Sequence, residues 1–233
     1  ELETRNHELE SFVYSVSHDL RAPLRAIDGF GAILGERHRN ALDAEGQRYL
    51  DNILSAARRM TALIDDLLLY SRIGRGAVKS EPVPLAPLLE DIEADFQERF
   101  AAGGRLEIAT PLATPRGDPR LISQILANLI DNAFKYQVPG NPPVIRIGAV
   151  VEGDGVVITV ADNGIGIAPE YQGMIFQVFQ RLHDETQYPG TGIGLAIAAK
   201  SAALMAGTLT VASMPGQGST FTLRLPAVTG HNR

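Results

Sequence analysis

Leu50, Ile53, Ala57, Met60, Ile64 and Leu67 recur in alternating steps of three and four residues. That is the apolar stripe of a helix packed against other helices, and a strand, which alternates every second residue, cannot carry it. Upstream, Leu2, Leu9, Val13, Val16, Leu20, Leu24 and Ile27 draw a similar, less regular stripe. Apolar periodicity lapses between Arg37 and Asp43, so the N-terminal region reads as two long helices joined there. A hairpin of this size has too little surface to bury both stripes. Either two copies pair into a four-helix bundle, or the hairpin packs on the rest of its own chain.

From Gly74 to Pro87 the chain holds two Gly and three Pro, which breaks helical periodicity. The expected organisation is a helical domain over residues 1–73, a linker over 74–87, a second domain over 88–226 and a tail over 227–233. The second domain mixes helices and strands. Leu85 to Phe100 reads as helix, Leu106 to Ala109 as a short strand, and Pro119 to Tyr136 as an amphipathic helix with Asp118 as N-cap and Pro119 in its first turn. Val144 to Val151 and Val156 to Ala161 read as strands joined by the turn Glu-Gly-Asp-Gly. Ile193 to Met205 reads as helix, and Thr208 to Ser213 and Thr220 to Leu225 as strands. The pattern predicts an α+β fold: a helical hairpin, then an α/β sandwich with one mixed sheet covered by helices on one face.

The 233 residues carry a formal net charge of -6, which argues against nucleic acid as a partner because phosphate binding wants a basic face. With no cysteine, disulfides, thiolate catalysis and Cys-ligated zinc are excluded. No apolar run approaches the ~20 residues needed to span a bilayer, so no membrane contact is expected within this chain and a cytoplasmic location is. The N-terminus, Glu-Leu-Glu-Thr-Arg, lacks Met and reads as an internal cut. A preceding segment, including any anchor, is expected outside it.

Four segments carry chemistry. In Ser15-Val16-Ser17-His18-Asp19-Leu20-Arg21-Ala22-Pro23-Leu24, His18 falls off the apolar stripe, an acid follows it, and Pro23 interrupts the helical hydrogen bonding. Neutral imidazole is a nucleophile, and a carboxylate can orient it and take its proton. Adjacent helical residues do not face each other, so Asp19 must reach around the helix. In the segment Asn128 to Tyr136, Asn128 and Asn132 share a helix face with Lys135 near it; two amide oxygens and an ammonium can hold magnesium and phosphates, or can simply form a polar helix edge. Asp162-Asn163-Gly164-Ile165-Gly166 follows a strand. Its Asp can accept from an exocyclic amine such as that of adenine, and its glycines allow a turn or a close ligand. Gly190-Thr191-Gly192-Ile193-Gly194-Leu195 opens a helix, whose N-terminus attracts phosphate. It is neither a Rossmann nor a Walker A pattern. Between the last two lie Phe176, Phe179 and Arg181, then the aperiodic stretch His183 to Pro189, which suits a mobile lid with Arg181 at its root reaching a terminal phosphate.

In this order and spacing the segments resemble the sensor histidine kinase family over nearly the whole chain, from about Phe12 to Leu225. Ser17 to Leu24 looks like the H box, Asn128 to Tyr136 the N box, Asp162 to Gly166 the first G box, Phe176 to Phe179 the F box, and Gly190 to Gly194 the second G box. Gly216-Gln217-Gly218-Ser219-Thr220 resembles the last Gly-rich element. The stretch Arg-Leu-His followed by Tyr-Pro-Gly-Thr-Gly-Ile-Gly-Leu is similar to kinases attached to phytochrome- or PAS-type sensors. The resemblance implies a homodimeric bundle, ATP and Mg2+ as cofactors, and phosphorylation of His18. It implies transfer to an Asp of a response regulator receiver, and an upstream sensor domain absent from this fragment. It assigns Asn132 to the metal, Asn128 and Lys135 to the phosphates, Tyr136 to the adenine and Asp162 to its amine.

Two rival readings share the ATP-binding fold. Gyrase and its relatives hydrolyse ATP with water and resemble one another in placing a Glu base where this chain has Asn128, which lacks a basic carboxylate. A pseudokinase scaffold would not need Asn132, Lys135, Asp162 and the Gly loops. One departure stands out: many family members carry Thr or Asn four residues after the phosphorylated His to position a water, and here the residue is Ala22.

Overall fold

A computed structural model describes residues 2–74, 77–182, 188 and 190–226, with the backbone alone for residues 2–15 and 18. The lid residues 183–187 and 189 and the tail 227–233 lie outside the described residues. The chain divides into two compact units, Glu1–Arg72 and Ile73–Arg233.

The first unit is the expected hairpin. Helix α1 (Leu2–Arg37) runs through Pro23, a short 3-10 turn covers Arg39–Ala41, and α2 (Ala44–Arg72) returns. Leu24, Ala57, Ile64 and Leu68 are buried between them. Gly31 allows close approach, since a Cβ there would stand 2.7 Å from Leu54 Cδ2. Arg21 Nη2 donates to Asp65 Oδ1 at 2.5 Å and Arg58 Nε to Asp28 Oδ1 at 3.2 Å, which fixes the register of the two helices. The sequence stripe splits: Leu50, Ala57 and Ile64 are buried, whereas Ile53 and Met60 stay 52% and 44% exposed in the single chain, as do Val16, Leu20 and Ile27 on α1.

The second unit is the sandwich. It comprises β1 (Glu81–Pro82), α3 (Leu85–Asp95), α4 (Gln97–Ala101), β2 (Arg105–Ile108), β3 (Arg116–Gly117), α5 (Pro119–Lys135), β4 (Val144–Glu152), β5 (Gly155–Asp162), α6 (Gly194–Leu204), β6 (Thr208–Ser213) and β7 (Ser219–Pro226). The main sheet has the order β2-β4-β5-β7-β6; only the β2–β4 pair is parallel. One face of the sheet, carrying Ile145, Ile147, Ile158, Val160, Phe221 and Leu223, packs against the apolar positions Ile122, Ile125, Leu126, Leu129, Ile130 and Ala133 of α5. On the opposite face Arg146 and Arg224 are exposed.

Two expectations need correction. The linker is shorter than 74–87, because β1 pairs with β3 and Val83 and Leu85 are buried in the second unit's core. The helix expected over 85–100 breaks at Phe96 into α3 and α4.

The start of α5 is held firmly. Asp118 is fully buried and caps the helix, accepting from Arg120 N at 3.0 Å. It also accepts from the Arg120 guanidinium at 3.2 and 2.9 Å and from Lys79 N at 3.2 Å. The Arg120 guanidinium, opposed by burial and helped by the backbone donors, holds this carboxyl below its ordinary range. The chain entering the second unit is thereby tied to the helix that carries Asn128 and Asn132.

Candidate functional site

Helix α5 ends at Lys135, with Tyr136 as C-cap, before the chain turns through residues 137–143 into β4. Ile165 N donates to Tyr136 O at 2.9 Å, so the C-cap of α5 and the Gly-rich segment after β5 are one hydrogen-bonded unit. Asn163 secures the same turn from the other side. Its Oδ1 accepts from Val144 N at 2.8 Å and its Nδ2 donates to Pro142 O at 3.0 Å.

Asp162, the last residue of β5, accepts with one oxygen, Oδ1, from Gly164 N at 2.8 Å and Ser219 N at 3.2 Å. Burial pushes its carboxyl above the ordinary value of 3.8, and these two backbone donors pull it partly back. The glycines around it serve packing. Gly166 has φ +74, and a Cβ there would stand 1.9 Å from Met214 O; Gly218 has φ +79, and its Cβ would stand 2.0 Å from Asp162 O. A side chain at either position would collide with backbone, which cannot give way. The space left by Gly164 and Gly166 is therefore filled by the backbones of Tyr136 and Met214 rather than by a ligand. Ser213 braces the assembly: its hydroxyl accepts from Ile167 N at 2.8 Å and donates to Gly218 O at 2.7 Å.

The second Gly-rich loop packs on the F box. Phe179 has φ 66, its N–H donates to Gly192 O at 3.0 Å, and a Cβ on Gly192 would meet Gln180 O at 2.9 Å. Thr191 Oγ1 accepts from Ile193 N at 3.4 Å, just ahead of α6, whose first turn carries no acidic residue. The positive end of α6 is thus not neutralised from within its own first turn.

These segments enclose a pocket of about 70 Å³. Asn132, Tyr136, Asp162, Gly166, Arg181 and Leu195 line it, all singled out in the sequence. Asn128, Lys135, Gly164, Gly190, Thr191, Gly192 and Gly194 do not line it; Asn128 lies beside the start of α6, and Lys135 forms an ion pair with Asp131. The sequence reading gave no role to Ser219, which lines the pocket and bonds Asp162, nor to the apolar walls Ile165, Ile167, Ile175, Leu182 and Phe221. The apolar walls suit a flat aromatic base, and the half-buried Asp162 carboxylate among them suits its amine.

Tyr136 is half-buried. Burial raises its hydroxyl pKa, Arg181 lowers it and Asp131 raises it further. Its ring lies 5.5 Å from that of Tyr188, whose carbonyl accepts from Arg181 Nη2 at 3.2 Å. Among the described residues, Asn128 Nδ2 and Asn132 Nδ2 are buried without a hydrogen-bond partner. An amide left so costs about 1–3 kcal/mol, and a bound ligand is the natural remedy. His18 lies on α1, but its side chain, and so its expected accessibility, lies outside the described residues; Asp19 and Ala22 are exposed.

The pocket, the sheet and the clasped Gly-rich turns define an ATPase-like nucleotide domain. Residues 117–229 match the family described as "Histidine kinase-, DNA gyrase B-, and HSP90-like ATPase". Residues 8–76, spanning the hairpin, match the "His Kinase A (phospho-acceptor) domain". With the two domains in tandem, the chain belongs to the histidine kinases.

Among its relatives is Cyanobacterial phytochrome A of Nostoc sp., 35% identical over 100% of this chain and 30% of the relative. Phytochrome-like protein Cph1 of Synechocystis sp. is 33% identical over 97% of this chain and 30% of its own length. The chain thus spans less than a third of these relatives. Among solved structures, full-length ShkA in complex with AMPPNP is 28% identical, with TM-score 0.67, covering 93% of this chain and 45% of that one.

Proposed function

We propose that this chain is the catalytic core of a sensor histidine kinase that phosphorylates His18 from ATP and passes the phosphoryl group to an Asp of a response regulator. The observation that carries it is the convergence of Asn132, Tyr136, Asp162 and Arg181 on one pocket, with the unpaired amides of Asn128 and Asn132 in the same helix, in a chain that also bears the phosphoacceptor hairpin. Adenine fits the apolar walls, its amine donating to Asp162, with Tyr136 beside the ring. The phosphates extend toward Asn128, Lys135, Arg181 and the Gly190-Thr191-Gly192 loop at the start of α6.

The amide oxygens on this helix face, rather than the unpaired Nδ2 groups, suit magnesium, and Asn132 Oδ1 would hold it. When bound, the ion neutralises charge on the phosphates during transfer. A ring nitrogen of His18 forms a bond to the γ-phosphorus as the bond from that phosphorus to the β-bridging oxygen breaks, releasing ADP. Asp19 receives or orients the imidazole proton. Asn128 supplies no carboxylate to deprotonate water, which favours transfer to the supplied imidazole over hydrolysis.

The exposed apolar residues of α1 and α2 support a homodimeric four-helix bundle. The net charge of -6 supports proteins rather than nucleic acid as partners. No helix among the described residues is long and apolar enough to cross a membrane. The reading places this core in the cytoplasm, downstream of a sensor domain. Incubation with γ-labelled ATP tests the reading. Acid-labile label on the wild-type chain, absent from His18→Gln while nucleotide still binds, is expected; label that survives on His18→Gln refutes it.

A further inference from the structure

The last turn of α5 holds more charge than the pocket accounts for. Asp131 Oδ1 accepts from Arg99 Nη1 at 2.6 Å, and its Oδ2 pairs with Lys135 Nζ. The Arg99 guanidinium lies over the rings of Phe96 and Phe134, 5.4 and 5.7 Å from their centres. Those rings stack on each other at 5.9 Å, and Phe100 closes edge-on against Phe134 at 4.9 Å. Arg99 is thus placed by aromatic faces on one side and a carboxylate on the other, although its side chain is 47% exposed.

Around α5, at about 100° per residue, Lys135 lies about 60° from Asn132 and about 40° from Asp131. It stands between the amide that lines the pocket and the carboxylate that holds it. The influence of Asp131 reaches the pocket wall, because it raises the pKa of the Tyr136 hydroxyl. A bare carboxylate here would oppose a phosphate chain twice, by repelling it and by monopolising the Lys135 ammonium. Arg99 counters both effects by occupying one oxygen of Asp131 and balancing its charge.

We propose that Arg99 is a positioning residue for the nucleotide phosphates: by neutralising Asp131 it leaves Lys135 shared between that carboxylate and the incoming phosphate chain. This rests on the nucleotide reading above. Arg181 is a cation among the described residues that line the pocket. The relay Arg99–Asp131–Lys135 makes a surface residue of the short helix α4 a determinant of affinity for phosphorylated ligands and not for the base.

Calorimetric titration of the 233-residue chain with MgATP, and separately with adenosine, tests it. Arg99→Met keeps an apolar stem over the rings. It is expected to weaken MgATP binding about three- to fivefold and to leave adenosine binding within about twofold. Adding Asp131→Asn to Arg99→Met should restore MgATP affinity to within about twofold of wild type. Arg99→Lys, which keeps the charge, should remain near wild type. An unchanged MgATP affinity in Arg99→Met, an equal loss for adenosine, or no restoration by Asp131→Asn overturns the proposal, since a role limited to stacking would not respond to removal of the Asp131 charge. A wild-type chain that binds neither ligand instead refutes the nucleotide reading and takes this inference with it.

Discussion

Asn128 on α5 faces Gly194 at the start of α6 so closely that a Cβ built on Gly194 would stand 3.2 Å from Asn128 Oδ1. This close approach sets the Asn128 amide against the start of the helix that follows the second Gly-rich loop. In Gly194→Ala the methyl group displaces Asn128 by a few tenths of an ångström while alanine suits the helix better than glycine. The variant is expected to keep its thermal midpoint within about 2 °C and to bind MgATP about three- to tenfold more weakly. Calorimetry with and without nucleotide separates the two effects, and unchanged affinity would show that the contact is only packing.

Asp162 predicts a pH dependence of two opposite signs. Its carboxyl is raised above 3.8 by burial. Between the unfolded and folded values the native state binds more protons, so this group's contribution to stability falls as pH rises through that window. Base recognition runs the other way, because the ionised carboxylate is the better acceptor for an amine. Adenosine affinity should therefore rise from the ordinary carboxylate range toward neutrality, and Asp162→Asn should be weak and flat over the same range. Titration against pH checks this, and a wild-type profile as flat as that of the variant would count against the adenine assignment.

Ile53 is 52% exposed although it belongs to the apolar stripe of α2. A second copy is the expected cover. Ile53→Glu should weaken self-association at least about tenfold in sedimentation equilibrium, since a charge at an apolar helix seam costs over ~1.4 kcal/mol. Helical circular dichroism of the single hairpin should be unaltered, because the residue makes no part of its buried cluster. A dimer of unchanged strength would exclude this stripe from the seam.

Ala22 sits one turn after His18 and is exposed. Its methyl group neither donates nor accepts, so it cannot orient a water. The chain is expected to be a poor phosphatase of its partner. With purified phospho-receiver and the His18→Gln variant, loss of phosphate should stay within about twofold of the receiver's own decay, as the missing hydroxyl or amide leaves no positioned water. Substantially faster loss would mean that another group supplies it.

Local signals were the legible ones. Asp118 followed by Pro119 marked the start of α5, and the period-two pattern of Val144 to Val151 marked β4. Asn132, Tyr136 and Asp162, which line the pocket, each sit in a motif whose spacing is local. Contacts that bridge long sequence separations were not legible. Lys79 reaches Asp118 across 39 residues, and Ser219 reaches Asp162 across 57. The two-residue pairing of β1 with β3 is too short to have a period, so residues 81–87 read as linker. The purpose of Gly166 was also hidden, because what occupies its missing side chain is the carbonyl of Met214, 48 positions away in sequence.

The amide nitrogen of Asn132, unpaired in the pocket wall, couples binding to stability. A nucleotide that offers it an acceptor repays that deficit along with its own binding energy. Resistance to heat or to a protease then becomes a gauge of how much nucleotide surrounds the protein: a starved molecule opens more readily than a supplied one, before any phosphoryl group has moved.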